Sequence, residues 1–98
     1  MSAPAAPALP AAARPLLPRG VRLHQDRVRQ MPVLLGPETA LMLDGIGAAI
    51  LAELDGIRDI AAISACLSVR YGAAVEEVQP DVIAFLSDMA ARRLVAVA

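Results

Sequence analysis

The segment from Val33 to Gly56, VLLGPETALMLDGIGAAILAELDG, constrains the fold more than any other part of the chain. Two short apolar runs, separated by a Gly-Pro-Glu turn, precede a helical pattern, so the segment predicts strand, turn, strand and helix. Asp44 is a favourable N-cap for that helix, and Gly56 is placed to end it in a left-handed conformation. We therefore expect a small sheet that leads directly into a helix at the centre of the domain.

The first eighteen residues, MSAPAAPALPAAARPLLP, hold five of the eight prolines and are otherwise mostly alanine. This composition predicts a disordered, polyproline-like tail over residues 1–18 and a single domain over residues 19–98. Near the start of that domain, Val21 and Leu23 alternate with polar residues, as in a half-buried strand. The predicted strands are a first one around Val21–Leu23, a second over Arg27–Leu35 and a third over Thr39–Leu43.

Three amphipathic helical patterns follow the strands. The second has Asp59 as its N-cap and Gly72 as its stop, and the third extends to Arg92, with a kink or restart expected at Pro80. The predicted inner faces are Ile46, Ile50, Leu51 and Leu54; Ile60, Ile63, Leu67 and Tyr71; and Val75, Val78, Val82, Phe85, Leu86 and Met89. In the first turn of the first helix, two glycines would allow a close approach to a neighbouring element. The predicted fold class is α+β and winged-helix-like: a small three-stranded antiparallel sheet followed by a three-helix bundle.

Charge and composition exclude several classes of protein. The chain carries a formal charge of −1 with a pI near 5.7, which argues against electrostatic attraction to nucleic acid. Although 57% of the residues are hydrophobic, no strongly apolar run reaches the roughly 18 residues that span a bilayer. The single cysteine fits a reducing compartment, and the start of the chain does not resemble a signal peptide, so a cytoplasmic location is expected.

The residues that could support catalysis are isolated from one another in the sequence. His24 is the only histidine and lies on the polar side of a predicted strand, and Cys66 is interpreted as a buried, inert thiol. The acidic residues of the third helix are interpreted as a solvated face. We therefore expect no enzyme, no metal site and no cofactor.

The predicted third strand offers a different kind of function. If Leu41 and Leu43 point into the core, Ala40 and Met42 lie on the opposite face of an edge strand. An extended peptide could pair with that edge and lie beside the third helix. The alternatives are a homodimer that covers the same edge and a winged-helix DNA-binding regulator. The third helix has acidic charge where DNA recognition requires basic charge.

Several strings in the chain resemble the PqqD family of pyrroloquinoline quinone (PQQ) biosynthesis proteins. They are the Val33–Gly56 segment, DIAAISACLSVRYG and DVIAFLSDMAARRLV, and the similarity extends over roughly residues 14–96. The chain departs from the family pattern at Met31-Pro32, where an aromatic residue is common, and at Arg93, where a glycine is usual.

The resemblance implies a peptide chaperone, a precursor-peptide recognition element that acts as a monomer or homodimer. Such proteins bind the ribosomal precursor PqqA and present it to the radical-SAM enzyme PqqE. In the wider family the peptide adds to the third strand and lies against the third helix. On this chain, the implied peptide-binding residues are Thr39, Ala40, Leu41, Met42 and Leu43 on the strand, with Val82, Phe85 and Met89 on the helix.

Overall fold

The computed structural model of the protein describes residues 7–98 and contains five strands and three helices within that range. The strands are β1 (Pro15–Leu16), β2 (Arg22–Asp26), β3 (Met31–Leu35), β4 (Ala40–Met42) and β5 (Ala96–Val97). The helices are α1 (Gly45–Ala52), α2 (Ile60–Tyr71) and α3 (Val75–Ala91). Strands β2, β3 and β4 form an antiparallel sheet in that order, and the three helices follow it. The predicted fold class is confirmed.

The turn between β2 and β3 is longer than the sequence pattern indicated. The Asp26 carboxylate accepts hydrogen bonds from the backbone N–H groups of Val28 and Arg29, at 2.9 and 3.2 Å. Gln30 then adopts a positive φ of 53°, which a strand does not allow. The second strand consequently begins at Met31, not at Arg27 as predicted.

Strand β3 lies at the centre of the sheet, and Leu34 on it is fully buried. Side chains alternate across a sheet, and the register places Leu23, Leu34 and Leu41 side by side on one face. Leu34 belongs to the core cluster, and Leu23 and Leu41 pack against it. This inner sheet face joins the buried side chains of the helices, which include Ile50, Leu51, Ile60, Ile63, Leu67, Val82, Leu86 and Met89.

Helix α1 begins where the sequence predicted and ends earlier. The Asp44 carboxylate accepts a hydrogen bond from Gly47 N at 2.6 Å, as expected of an N-cap. The helix ends at Ala52, so the expectation that Gly56 ends it is wrong. Gly56 has a φ of 72° in the following loop, where its N–H donates to Pro15 O at 2.9 Å. A Cβ there would lie 3.1 Å from Leu16 Cδ2, so the glycine allows the N-terminal segment to pack closely.

Helices α2 and α3 have most of the predicted features. Asp59 caps α2 by accepting a hydrogen bond from Ala62 N at 2.8 Å, and Gly72 ends it with a φ of 63°. Helix α3 continues through Pro80 without the predicted restart. None of the described helices is long and apolar enough to span a membrane.

Three side chains are more exposed than the sequence analysis predicted. Ile46 is 65% exposed and Tyr71 is 54% exposed, so neither belongs to the inner face of its helix. The thiol of Cys66 is also exposed, and it lies 3.6 Å from Glu53 Oε1. In each case helical spacing was a poor guide, because these residues lie at the border of the buried stripe.

The N-terminal segment differs from the predicted tail wherever it is described. Residues 1–6 lie outside the described residues, but residues 7–18 pack on the domain. The carbonyls of Ala11 and Ala13 accept hydrogen bonds from Ala61 N and Ile60 N. These N–H groups lie in the first turn of α2, where a helix supplies no acceptor of its own. Strand β1 then pairs with β5. An alanine- and proline-rich segment can be ordered in this way because its backbone carbonyls supply acceptors that the helix lacks.

Arg93 follows α3 and has a φ of 62°, in the left-handed region that favours glycine. This is the position at which glycine is usual in the family that the sequence resembles. Replacing Arg93→Gly should relieve the backbone strain and raise the free energy of unfolding by about 0.5–1 kcal/mol, after the added entropy of the unfolded chain is counted. Urea denaturation measures the change, with Arg92→Gly as a matched control that should destabilise. An unchanged or lower stability of Arg93→Gly would contradict the strain argument.

The loop between α1 and α2 is closed by Asp55, whose carboxylate accepts hydrogen bonds from Arg58 N, Ile57 N and Arg58 Nε, each at 2.9 Å. These bonds, of which the one from Arg58 N has the largest effect, lower the pKa of Asp55 from 3.8 to about 2. The stabilisation is therefore present above pH 3.8 and is lost as the pH falls towards about 2. Asp55→Asn should flatten the pH dependence of stability in that window, as followed by thermal unfolding. An identical slope in both proteins would contradict this role.

Candidate functional site

Strand β4 is an edge strand whose outer backbone groups have no strand partner among the described residues. Gly36 N donates to Thr39 O at 2.8 Å, and Leu43 N donates to Pro32 O at 3.0 Å. In an antiparallel ladder, hydrogen-bonded and non-hydrogen-bonded pairs alternate. The backbone groups of Thr39, Leu41 and Leu43 therefore point towards β3. Those of Ala40 and Met42 point away from it, towards the free edge.

Helix α3 and the residues just after it lie close to the chain on both sides of β4. A Cβ placed on Gly47, just after β4, would lie 3.3 Å from the Phe85 ring. A Cβ on Gly36, just before β4, would lie 3.1 Å from Leu94 Cδ2. The segment from Phe85 to Leu94 therefore follows the length of β4 in the opposite direction. The edge strand and the second half of α3 form the two sides of a candidate groove.

The structure divides the eight residues that the resemblance implied as the site. Thr39, Ala40 and Met42 are exposed, and Leu41 and Phe85 are half-buried. The other three have exposed fractions of 6% for Leu43, 2% for Val82 and 3% for Met89, and all three belong to the core cluster. These three side chains are therefore part of the core, while the first five residues are at least partly exposed.

Two polar residues that the sequence analysis did not include share the helix face of Phe85. Asp88 and Arg92 follow it at the i+3 and i+7 positions, and both are exposed. Arg92 Nη2 lies 3.4 Å from Asp88 Oδ2, so the two side chains form an ion pair. Helical spacing from Phe85 could have identified them, but the apolar stripe gave no reason to extend the face to charged residues.

A small cavity of about 220 Å³ lies between α1, α2 and the first half of α3. Ile46, Tyr71, Val78 and Asp81 are among its lining residues. The cavity is next to the first turn of α1, which directly follows β4. The exposure of Ile46 and Tyr71, which the inner-face prediction did not anticipate, places two apolar surfaces at its mouth. It has the size and lining for one apolar side chain, with a carboxylate at its rim.

The residues that could support chemistry remain apart in the structure. His24 is exposed on β2, and Cys66 is exposed on α2. Within residues 7–98, no group of three or more histidine, cysteine, aspartate or glutamate side chains could hold a metal ion. The arrangement around β4 is suited to binding through backbone hydrogen bonds and apolar contacts.

Comparison with known proteins identifies the family. The family model described as "Coenzyme PQQ synthesis protein D (PqqD)" matches residues 33–95, which include β4 and all three helices. The chain belongs to the PqqD family. Two relatives, each named "PqqA binding protein", have similar lengths. That of Rhizobium meliloti (strain 1021) is 45% identical over 78 residues, which cover 80% of both chains. That of Rhodopseudomonas palustris (strain TIE-1) is 49% identical over 77 residues, which cover 79% of this chain and 76% of the relative.

Solved PqqD structures share the fold. The solution NMR structure of the PqqD truncation of Methylobacterium extorquens PqqCD superposes with a TM-score of 0.73 and 36% identity, covering 84% of this chain and 87% of that one. That protein is described as a functional and stand-alone RiPP recognition element. The crystal structure of PqqD from Xanthomonas campestris gives a TM-score of 0.56 at 36% identity, covering 80% and 87% of the two chains.

Gly47 controls the approach of Phe85 to the end of β4. In Gly47→Ala, the added Cβ would lie 3.0 Å from Asp44 Oδ1 and 3.3 Å from the Phe85 ring, so these groups must move. A Cβ on Gly45 meets nothing within 4 Å, so Gly45→Ala is a matched control. Gly45→Ala should gain about 0.5–1 kcal/mol in helix propensity, and Gly47→Ala should show no such gain and should shift the NMR signals of the Phe85 ring. Equal stabilisation by both would contradict the close packing.

Proposed function

We propose that the protein binds the precursor peptide PqqA in PQQ biosynthesis, as an additional strand along β4. The observation that carries this proposal is the free edge of β4, where Ala40 and Met42 direct their backbone groups outward beside α3. Membership of the PqqD family and the names of its relatives support a peptide as the ligand. On this proposal the protein is a binding protein without catalytic activity of its own.

Backbone hydrogen bonds to Ala40 and Met42 would hold the peptide in register, and its side chains would alternate between two environments. Those on one side would face Leu41, Phe85 and the Asp88–Arg92 pair. A side chain beyond the end of β4 would reach the cavity beside Ile46. Strand addition of this kind supplies affinity through the backbone and selectivity through the few side chains that enter the groove.

The bound peptide would be presented to the radical-SAM enzyme PqqE, which modifies it.

A DNA-binding role has less support from the structure. The exposed charges of α3 include Glu76, Glu77, Asp81 and Asp88, which would repel a phosphate backbone. A homodimer that pairs β4 with its own copy would use the same edge, so it would compete with peptide binding.

A backbone substitution tests strand addition most directly. Met42→Pro removes an N–H that points away from β3, so it should spare the existing ladder while weakening PqqA binding at least about tenfold. Gln25→Pro is the matched control, because the register makes its N–H point away from β3 at the opposite edge of the sheet. Met42→Ala separates loss of the side chain from loss of the N–H. Isothermal titration calorimetry with synthetic PqqA measures the affinities.

The same titration followed by NMR should shift the amide signals of residues 39–43 and 85–92 before those of other regions. Weaker binding by Gln25→Pro with no effect of Met42→Pro would move the site to β2 and overturn the proposal. Sedimentation across a dilution series identifies a homodimer, and dissociation by the peptide would show that both use β4. Duplex DNA at low salt should cause no shift in a mobility assay.

A further inference from the structure

The sheet has a second face, opposite the core, which the proposed peptide site does not account for. The strand register places one set of alternating side chains on this side: Arg22, His24, Asp26, Met31, Val33, Leu35, Ala40 and Met42. We call this set the outer sheet face. Arg22, His24 and Ala40 are exposed, Asp26 is half-buried, and Met42 is 46% exposed. The face is therefore accessible on the surface of the domain.

The centre of the outer sheet face is apolar. Val33 is only 5% exposed, yet it does not belong to the core cluster. Its cross-strand neighbours are His24 and Met42, whose side chains lie on the same face. Met31 and Leu35 are half-buried on either side along β3. These residues form a continuous apolar strip on the side of the sheet that faces away from the helices.

The rim of the outer sheet face is basic. Arg22 lies on it, and Arg29 reaches it from the β2–β3 turn, with Nη1 at 3.9 Å from Met42 Sδ. The register also places Asp26 on this face beside Met31, and its carboxylate accepts hydrogen bonds from two backbone N–H groups of the turn, so the rim carries two arginines and one carboxylate engaged by the backbone. The arginines are also unevenly distributed along the whole chain. Five of the nine arginines precede residue 30, whereas nine of the ten acidic residues follow it. Three of those arginines, Arg22, Arg27 and Arg29, lie on β2 or in the β2–β3 turn, whereas four of the acidic residues lie on α3.

We propose that the outer sheet face docks a partner protein whose surface has an apolar centre surrounded by carboxylates. Charge complementarity selects such a partner, because Ala40 and Met42 leave one side of the apolar strip exposed and its rim carries arginine. This inference rests on the proposed function. A strand added to β4 continues the same alternation, so every second peptide side chain stands beside Ala40 and Met42. The loaded protein then presents a wider outer face than the empty one, and the partner distinguishes the two.

Within the proposed function, the partner is the enzyme that receives the peptide, so PqqE is the probe. Arg22→Glu combined with Arg29→Glu should weaken binding of PqqE by about tenfold or more at low salt, mainly through a slower association rate. The matched control is Arg14→Glu combined with Arg93→Glu, which changes net charge equally at exposed arginines outside the β2–β3–β4 sheet. Binding is measured by biolayer interferometry on the full chain, with and without saturating PqqA. Circular dichroism establishes that each variant is folded.

The outcomes separate this inference from the proposed function. Calorimetry with PqqA alone should give the same affinity for the Arg22/Arg29 variant as for the unaltered protein, and loss of that affinity would overturn a separate docking face. If PqqA binds at β4 but both charge-reversal pairs affect PqqE equally, or neither does, the docking face is wrong and the peptide site stands. Equal affinity of PqqE for the protein with and without bound PqqA would overturn the idea that the peptide widens the outer sheet face for the partner. Binding of duplex DNA that the Arg22/Arg29 reversal abolishes would assign the face to nucleic acid instead.

Discussion

Burial of Leu34 on the central strand is the interaction on which the arrangement depends. The Leu34 side chain is fully buried in the core, and its strand β3 pairs with β2 on one side and with β4 on the other. Loss of that packing would release the whole sheet from the helices, since Leu23 and Leu41 pack against the same cluster. The position of β4 beside α3 follows from this anchor, together with the close contacts of Gly36 and Gly47.

Much of the fold could be predicted from local sequence signals. Asp44, Asp59 and Gly72 mark helix ends through their own side-chain or backbone chemistry, and each is used as predicted. Signals that depend on distant partners were missed. Gly56 has the expected positive φ, but it serves the approach of Leu16 and not the end of α1. The order of residues 7–18 likewise depends on N–H groups of α2, which no local pattern in the tail reveals.

The candidate site was predictable as an edge but not as a groove. Alternation in β4 identified Ala40 and Met42 as outward-facing, and the register bears this out. Helical spacing alone could not separate the half-buried Phe85 from Val82 and Met89, which are core residues. That distinction depends on where α3 crosses the sheet, and a helical stripe does not encode a crossing position. The exposed Asp88 and Arg92 were missed because the apolar stripe gave no reason to extend the face of Phe85 to charged residues.

Pro32 limits how long a strand on this sheet can be. It sits opposite Leu43 and accepts a hydrogen bond through its carbonyl, but it has no N–H to return, and β4 ends at Met42. An added strand therefore meets only two outward-facing residues, and each backbone hydrogen bond contributes about 0.5–1.5 kcal/mol net. Pairing over so few residues favours rapid release of an added strand over long residence. Under the proposed function, such a short contact would let the protein release the peptide quickly to the enzyme.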